Sequence, residues 1–398
     1  MRGGLALRLV AGLLLAMLAG AAPATEIVVT FGGDVNFARS RQSPRPMSVQ
    51  KFGHFKIRDL AETLAPEWRG GDVNFINVET VVSERDGHPV PGKAFVFRSH
   101  PDSFRYLIDL GVNAFSLANN HAFDHGWAGM AATHEFFRAE DRAERPLLFA
   151  GIGLGDQAFV PRIITVKGIR VAMSAVSFGS GLWGPSGDRP GMAYLTRAAH
   201  YQAVLDGLKA AEADLKILSV HYGTENYVGL NPGQRATYQR ALKEAGVDLV
   251  LGHHPHVARG IEAPAGSGQA IFYSLGNLLF IGGAMKDHMP VGHDFGLLGK
   301  AYYLRTAKGL HLSALEILPL KGVHLQPRPM SAARAGATLE FLNALSRQSA
   351  GADAAQFTPS GPDMNRGAMC FAGPLGPAAR ALCCTGGPRP DCDFPELM

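Results

Sequence analysis

The sequence has few charges, few cysteines and no basic cluster, and each shortage excludes a class of protein. Only 18% of the 398 residues are charged, and no run of five or more lysines and arginines occurs. The formal net charge is +4, so the chain lacks the positive field typical of nucleic-acid binding. A hydrophobic share of 46% is too high for a disordered chain. We therefore expect a folded protein with no nucleic-acid partner.

Long apolar runs are absent after the first 24 residues, and the run at the start is short for a membrane span. Arg2 and Arg8 accompany the apolar stretch 9–19, and small residues follow at 22–24. This pattern is typical of a cleaved secretory signal, whereas a bilayer span needs about 20 apolar residues. We expect cleavage after Ala24 and export to the periplasm or the cell exterior. An uncleaved membrane anchor is the alternative. A lipid anchor is not favoured, because no cysteine lies near the cleavage site.

Cysteine is scarce, and all of it is in the last 29 residues, at Cys370, Cys383, Cys384 and Cys392. An even number of cysteines in an exported protein favours disulfides. A bond between the adjacent Cys383 and Cys384 is sterically unattractive, so we expect each to bond to one of the outer two. The sequence does not choose the connectivity. A zinc knuckle is the alternative, but the spacing contains no C-x-x-C pair.

What the sequence does contain is an alternation of strand-like apolar runs with helical periodicity. Strands are predicted at 26–31, 73–77, 112–118, 147–151, 161–166, 170–176, 216–220, 248–251, 270–275, 299–306 and 310–319. Helices are predicted at 58–64, 101–110, 127–139, 198–213, 232–245 and 334–348. The order predicts an α/β sandwich with mixed sheets.

The composition changes near residue 350, where glycine, proline and alanine become frequent and periodicity weakens. We therefore divide the chain into a signal peptide at 1–24, one domain at 25–349 and an irregular tail at 350–398. We expect the domain to fold without the tail.

Side chains able to bind metal or transfer protons follow five of the predicted strands. They are Asp34, Glu79, Asn120 with His121 and Asp124, His221, and the pair His254 and His256. Ligands of open α/β sheets bind beyond the carboxyl ends of the strands. Two carboxylates, one amide oxygen and three imidazoles suit Mn, Zn, Fe or Co, and the set contains too much nitrogen for calcium. It can hold one or two ions, and a metal-activated hydroxide can then attack an electrophilic centre.

Two histidines beside these ligands receive different roles. His121 follows Asn120 directly, so it can supply a proton or stabilise charge in the transition state. His253 precedes His254. In an extended segment its side chain would point away from those of His254 and His256, so we interpret His253 as structural.

Taken together and in order, these motifs resemble the CapA-type poly-γ-glutamate capsule-biosynthesis family, which is similar to the calcineurin-like metallophosphoesterases. The matching segments are GD at 33–34, NVE at 77–79, KAFVFR at 93–98, SLANNH at 116–121 with DHG at 124–126, HYGTE at 221–225, GHHPHV at 252–257 and YSLGN at 273–277. They cover residues 26–280, with weaker similarity to 348. The resemblance implies a four-layer α/β/β/α metallophosphoesterase-like sandwich with mixed sheets.

The resemblance also implies roles for single residues. Asp34 and His256 correspond to ligands of a first ion, Glu79 to the bridging acid, and Asn120, His221 and His254 to ligands of a second ion. His121 corresponds to the catalytic histidine, and we group Asp124 with it. Asn36 stands where the wider superfamily has histidine, which weakens the first site. Glu225 could be a ligand, a proton shuttle or a partner of a ligand histidine.

Substrate contacts are expected from a second set of residues. Lys93 and Arg98 could hold an anionic substrate, although their odd spacing places them on opposite faces of a regular strand. The alternative is a solvated lysine and a structural arginine. Asn119, Ser274 and Asn277 are expected along the pocket wall.

Three functions remain open at this point. The first is a metal-dependent hydrolase or transferase of the cell envelope that acts on an anionic polymer or ester, such as poly-γ-glutamate. The second is a non-catalytic accessory protein that binds polyglutamate or its membrane-bound synthase, since the family alone does not fix the reaction. The third is an exported phosphoesterase of the 5′-nucleotidase kind, for which the sequence offers no clear aromatic clamp.

Overall fold

The computed structural model describes residues 24–37, 59, 61–85, 87–281, 294–384 and 392. The predicted signal peptide lies outside this part of the chain except for its last residue, Ala24. Among the described residues, no helix combines the length and the hydropathy that crossing a bilayer requires.

The strands follow one another along the chain with short helices between them. They are β1 (Glu26–Asn36), β2 (Val73–Val78), β3 (Val81–Val82), β4 (Arg98–Ser99), β5 (Ala114–Ser116), β6 (Leu148–Ala150), β7 (Ile152–Leu154), β8 (Arg162–Val166), β9 (Ile169–Ser177), β10 (Pro190–Met192), β11 (Leu215–His221), β12 (Leu249–His253), β13 (Ile261–Glu262), β14 (Ala270–Phe272), β15 (Asn277–Phe280), β16 (Gly296–Thr306), β17 (Gly309–Lys321), β18 (Arg328–Pro329), β19 (Thr358–Ser360) and β20 (Arg366–Cys370). The α-helices are α1 (Ala65–Arg69), α2 (Pro101–Asp109), α3 (Gly126–Glu140), α4 (Ala198–Ala210), α5 (Gln234–Ala245), α6 (Ala332–Ala350) and α7 (Pro377–Cys383).

Two mixed sheets form the centre of the protein. The larger runs in the order β19-β20-β17-β16-β1-β2-β5-β6, with β15 beside β1 and β18 beside β17. The smaller runs in the order β13-β14-β12-β11-β9-β8. β1, β2, β5 and β6 are parallel, as are β9, β11, β12 and β14, while the outer strands are antiparallel. The predicted mixed sheets are therefore confirmed.

The two sheets pack face to face. The apolar side chains on one face of each sheet meet those of the other sheet, and the apolar side chains on the opposite face lie under helices. The ring of Phe31 in β1 lies 4.7 Å from that of Phe272 in β14. In β12, Leu249 and Leu251 belong to the core between the sheets, whereas Val250 belongs to a second core.

Helices cover the outer face of each sheet. Tyr201 and Leu208 of α4, with Tyr238 of α5, form the second core against the smaller sheet. Phe104 of α2 and Phe137 of α3 pack into the main core from the other side. The order helix, sheet, sheet, helix is the four-layer sandwich that the sequence predicts.

The tail differs from its prediction. Residues 350–384 are described, and they are not irregular: β20 pairs with β17 along Ala314–Ile317, and β19 pairs with β20. The helix α7 packs on Val28 and Tyr302, beside β1 and β16. These strands are too short to show periodicity, so hydrogen bonds to β17 decide their conformation.

Two disulfides and a carboxylate that caps the N-terminus of α7 stabilise this tail. Cys370 bonds to Cys383 and Cys384 bonds to Cys392, so each member of the adjacent pair bonds to an outer cysteine, as predicted. The carboxylate of Glu26 accepts from the backbone N–H groups of Ala378 and Ala379 at 2.7 and 2.9 Å. This contact ties the first turn of α7 to the start of β1.

Candidate metal centre

The centre lies at the carboxyl ends of β1, β2, β5, β11 and β12, where the two sheets meet. Asp34 enters it from β1, directly after the glycine pair at 32–33. A Cβ at Gly33 would lie 1.8 Å from the carbonyl oxygen of Gly276, so only glycine fits this close approach. The Asp34 N–H donates to that same carbonyl at 3.0 Å.

The histidine loop after β12 turns sharply rather than continuing as a strand. His254 has φ 93° and His256 has φ 56°, in the left-handed region that costs a non-glycine residue of order 1–3 kcal/mol. The two imidazole centroids lie 6.1 Å apart on the same side of the loop. His253, the last residue of β12, does not point away: its Nδ1 lies 3.2 Å from Asp34 Oδ1. The extended geometry assumed for this segment is therefore wrong.

Asp34, Glu79 and His256 form a first group of ligand atoms, all within 4.8 Å of one another. His256 Nε2 lies 3.6 Å from Glu79 Oε1, and its Nδ1 lies 2.8 Å from Asn277 Oδ1. Since an amide oxygen only accepts, Nδ1 carries the proton and Nε2 keeps its lone pair toward Glu79. Asn277 thus orients His256 as a ligand.

Glu79, His221 and His254 form a second group, again within 4.8 Å of one another. His221 Nε2 lies 3.5 Å from Glu79 Oε1 and 2.8 Å from Asn120 Oδ1. Two donors of one ion, each bonded at about 2.1 Å, lie about 3.0–3.5 Å apart. Glu79 belongs to both groups, which is the position of a bridging acid.

The hydrogen bonding of Glu79 tests whether a cation fits here. Both carboxylate oxygens of Glu79 are buried and have no hydrogen-bond partner among the described residues, and the same holds for His254 Nδ1. A buried carboxylate without a donor is costly unless a cation neutralises it. Carboxylate, amide and imidazole donors together suit a divalent transition metal. The residues present therefore fit a metal centre of one or two ions.

The protonation states favour the same interpretation. Burial alone would raise the pKa of Asp34, but hydrogen bonds with His253 and His256 outweigh it and lower that pKa well below its usual range. Burial, and then the charge of Asp34, raise the pKa of Glu79 well above its usual range, so this carboxyl favours its protonated form without a cation, and a bound cation would displace that proton. Burial lowers the pKa of His221 strongly and that of His254 to about 3. The imidazoles are thus neutral, as metal ligands must be.

His121 stands beside this centre and is oriented by Asp124. His121 Nδ1 lies 2.7 Å from Asp124 Oδ2, so Nδ1 holds the proton and Nε2 remains available. Asp124 is fully buried and also accepts from the Phe97 N–H at 2.6 Å and from the ammonium of Lys93. Lys93 donates further to the carbonyl of Asn120 at 2.6 Å. The lysine predicted to hold substrate is thus engaged with Asp124.

Three other residues predicted to contact substrate have different contacts. Arg98 donates from Nη1 to the Ser83 carbonyl at 2.9 Å, within the β3–β4 pair. Asn119 donates to the Val78 carbonyl at 2.7 Å and accepts from the His121 N–H. Ser274 Oγ accepts from the N–H at position 276. Asn119 and Ser274 are fully buried, so both shape the backbone of the centre rather than its open side.

Glu225 is exposed and lies on the open side. One of its carboxylate oxygens is within 4.8 Å of ring nitrogens of His254 and His256. Asn36, on the buried side, donates from Nδ2 to the Ile281 carbonyl at 3.3 Å.

Asn77 joins the two ligand groups, although the sequence analysis assigned no role to it. Its Nδ2 donates to Asp34 Oδ1 at 2.8 Å and lies 3.2 Å from His221 Nδ1. His253 is the second such residue, through its contact with Asp34. The available signal was position: Asn77 is the last residue but one of the buried strand β2, two residues before Glu79, and His253 is the last residue of β12 in the other sheet.

Comparison with known proteins decides the family. The profile of the family "Bacterial capsule synthesis protein PGA_cap" matches residues 28–281, which contain every residue of the centre. The chain belongs to this family. Like its relatives, this PGA_cap chain is thus a CapA-like protein of the poly-glutamate capsule-biosynthesis family.

Three relatives illustrate how far the similarity extends. The chain is 30% identical over 341 residues to a Mycobacterium tuberculosis protein named "probable polyglutamine synthesis accessory protein", with coverage of 74% of this chain and 84% of that one. It is 28% identical to the PGA biosynthesis protein CapA of Bacillus subtilis, over 63% of this chain and 62% of that protein's length. It is 29% identical to the capsule biosynthesis protein CapA of Bacillus anthracis, over 77% and 70%.

Solved structures resemble the chain more loosely. A hypothetical protein of Thermus thermophilus aligns with TM-score 0.42 at 15% identity, over 76% of this chain and all of that one. A novel phosphatase of Mycoplasma pneumoniae aligns with TM-score 0.43 at 13% identity, over 77% and 95%. At these scores the likeness transfers neither fold nor function, and the fold of the chain rests on its own sheets.

Proposed function

We propose that this PGA_cap protein is a metal-dependent hydrolase or transferase of the cell envelope. Its substrate is an anionic polymer or ester, and poly-γ-glutamate is the first candidate because relatives are named for its biosynthesis. The observation that supports the proposal best is Glu79, a buried carboxylate without a hydrogen-bond donor among the described residues. It belongs both to the group with Asp34 and His256 and to the group with His221 and His254. A merely structural polar cluster would satisfy those oxygens with donors of its own.

The chain's residues have distinct tasks in this proposal. Asp34, Glu79 and His256 hold one ion, and Glu79, Asn120, His221 and His254 hold a second. A divalent cation bound there supplies Lewis acidity at the scissile bond and makes water a better nucleophile. Asn277 keeps the Nε2 lone pair of His256 directed inward through the contact at Nδ1.

His121 is the proton-transfer residue of the proposal. The Asp124 carboxylate fixes its Nδ1 proton, so Nε2 carries the free lone pair. Nε2 takes a proton from the attacking nucleophile and then passes that proton to the leaving group. Lys93 donates to the other oxygen of Asp124, which keeps that carboxylate aligned. The ring of Phe97, 4.3 Å from the His121 ring, covers the imidazole and limits its contact with water.

We propose further that the protein is exported, with cleavage after Ala24. The two disulfides at 370–392 support an oxidising compartment. Mass spectrometry of the protein from a native envelope fraction tests this. A mature chain that begins at Thr25 is the expected result, and a chain that keeps 1–24 in the cytosol contradicts export.

Metal content is the first test of the function. Inductively coupled plasma mass spectrometry of protein purified without chelator should find one or two equivalents of Mn, Zn, Fe or Co. The His254→Ala/His256→Ala double variant should lose them, because it removes a ligand from each group. Poly-γ-glutamate and a generic phosphodiester are then assayed for cleavage with and without chelator. Full metal content in the double variant, or turnover that survives metal removal, would contradict the proposal.

A non-catalytic accessory protein is the second candidate. Two observations favour it: the M. tuberculosis relative is named an accessory protein, and Asn36 donates its amide to a backbone carbonyl where the wider superfamily has a histidine. Its partner would be polyglutamate or a membrane-bound synthase. Binding of poly-γ-glutamate without cleavage by the metal-loaded protein is the result that would favour this candidate.

A further inference from the structure

Glu225 approaches His254 and His256 from the exposed surface of the centre. Glu79 is fully buried, whereas Glu225 is exposed. Ligand atoms of Glu225, His254 and His256 lie within 4.8 Å of one another. Because His254 belongs to one ligand group and His256 to the other, the Glu225 carboxylate lies over the boundary between the groups.

The backbone that carries Glu225 is joined to the histidine loop. The N–H of Asn226 donates to the Pro255 carbonyl at 2.9 Å, and the N–H of Tyr222 donates to the His253 carbonyl at 3.1 Å. Asn226 has φ 58°, a left-handed conformation that the surrounding contacts must maintain. The position of Glu225 is therefore fixed relative to His254 and His256.

The buried side chain of Arg259 hydrogen-bonds to the same segment, residues 224–227. Arg259 is fully buried, and it donates to the Thr224 carbonyl at 3.0 Å and to the Tyr227 carbonyl at 2.9 Å. These two carbonyls flank Glu225. Burying a guanidinium is costly unless its donors are all used, and here several of them fix the loop of one exposed glutamate. An ordinary surface glutamate needs no such support.

We propose that Glu225 is a metal-ligating carboxylate that adds an oxygen donor, from the open side of the centre, to the ions held by His254 and His256. This inference rests on the metal use proposed above. One exposed carboxylate beside an imidazole of each group can supply this donor and still leave coordination positions open. Donors of one ion lie at most about 4.2 Å apart for bonds of about 2.1 Å, so a small inward rotation of the exposed side chain completes the site.

The test compares metal binding by three purified proteins: wild type, Glu225→Gln and Glu212→Gln. Glu212 is the matched control, because its side chain is 87% exposed and it pairs only weakly with Arg170 at 3.3 Å. The metal-free proteins are titrated with Mn²⁺ in a calorimeter and with Co²⁺ in a spectrophotometer. We expect Glu225→Gln to lose one equivalent or to bind at least tenfold more weakly, with altered Co²⁺ visible bands. Glu212→Gln should match wild type.

A change of fold and a change of ligand are told apart by two further measurements. The metal-free melting temperature of Glu225→Gln should equal that of wild type, since the replaced group is exposed. Glu225→Asp, which keeps a carboxylate, should recover part of the affinity. Equal stoichiometry, affinity and Co²⁺ spectrum in wild type and Glu225→Gln would overturn the inference, even if turnover falls, because Glu225 would then act as a proton shuttle.

The outcome separates this inference from the proposed hydrolase. If Glu225→Gln binds metal more weakly but the wild-type protein cleaves no substrate, Glu225 is a metal ligand and the proposed hydrolase function is wrong. If the wild-type protein cleaves substrate and Glu225→Gln binds metal as wild type does, Glu225 is not a ligand and the hydrolase function stands. A wild-type protein that binds neither ion overturns both.

Discussion

Two buried carboxylates in the same centre have opposite hydrogen bonding, and this difference assigns their tasks. Asp124 accepts from His121, from the Phe97 N–H and from Lys93. Glu79 accepts from no described residue although both of its oxygens are buried. A satisfied carboxylate holds its neighbours in place, whereas an unsatisfied one is suited to a cation. In the proposed mechanism, proton transfer and metal binding therefore depend on different acids.

At this scale, His121→Ala is expected to reduce turnover while metal stays bound. The imidazole makes no contact that the two ligand groups need, and loss of a general acid or base costs typically 10²–10⁴-fold in rate. Steady-state kinetics and metal content of the same preparation check the prediction. Asp124→Asn should show a smaller loss in the same direction.

The control is His88→Ala, which removes an exposed histidine that belongs to none of the motifs. It should retain both activity and metal. Wild-type turnover by His121→Ala would remove this residue from the mechanism, and loss of metal in that variant would show that His121 is a ligand instead.

The tail shows how elements with little pattern of their own become part of the core. Arg366 in β20 donates to Glu67 in α1 at 2.5 and 3.1 Å and to Glu316 in β17 at 2.6 Å. Lys300 in β16 donates to the same Glu67 at 2.8 Å. Burial alone would raise the pKa of Glu67, but the bond from Arg366 lowers it, which places that carboxylate in its charged form. One side chain of the tail therefore satisfies two carboxylates of the body.

The expectation that the domain folds without its tail consequently reverses. Removal of everything after Ala350 leaves β17 without the β20 partner and Glu26 without α7. Arg366→Met should lower stability by about 3 kcal/mol, because it breaks a largely buried pair on one side only. Denaturant unfolding followed by circular dichroism measures both effects.

Arg347→Met serves as the surface control for the arginine. This exposed side chain bonds to Gln356, so its loss should change stability by less than about 0.5 kcal/mol. A truncated protein with the melting temperature of the full chain would show that the tail adds nothing to the core.

For the molecule as a whole, stability should depend on pH through a carboxyl far from the centre. Asp248 precedes β12, at the end of the smaller sheet opposite to His253. It accepts from the Lys216 N–H at 2.7 Å. Burial raises its pKa from 3.8 to about 7, so the folded state favours the protonated form. This group's contribution is complete below about pH 4 and is lost as the pH rises through 7.

Asp248→Asn removes the charge while an amide oxygen still accepts the Lys216 N–H. The variant should gain melting temperature over wild type at pH 8 and gain little or nothing at pH 4. Asp363→Asn, an exposed carboxylate of the tail, is the control and should show no such difference. Thermal melts at pH 4 and pH 8, in matched ionic strength, test this prediction. An equal change in the melting temperature at both pH values would show that the titration of Asp248 is not the cause.

Local pattern was sufficient for the outline of the fold and for the ligand types. Apolar runs of period two and helical periodicity predicted the central strands and five of the helices within a few residues, because these segments bury a face whatever surrounds them. Of the helix predicted at 58–64, residues 58 and 60 lie outside the described part of the chain, residues 59 and 61 are helical, and Glu62–Leu64 form a 3₁₀ turn that leads into α1. Asp34, Glu79, Asn120 and the histidines could be found because each follows a strand, and parallel strands bring their carboxyl ends together.

Tertiary structure alone decided which of these side chains touch. The sequence determined the donors and their order, but the packing of β12 decided that His253 faces Asp34, on the same side of the strand as Leu249 and Leu251. The left-handed residues His254 and His256 then turn the chain after this strand. Lys93 meets Asp124 across 31 residues, a pairing that no local pattern encodes. The tail, too short in its strands to show a period, is ordered by β17 and Glu67. Contacts of this kind arise from the global packing of distant segments, whereas periodicity records only which face of a segment is buried.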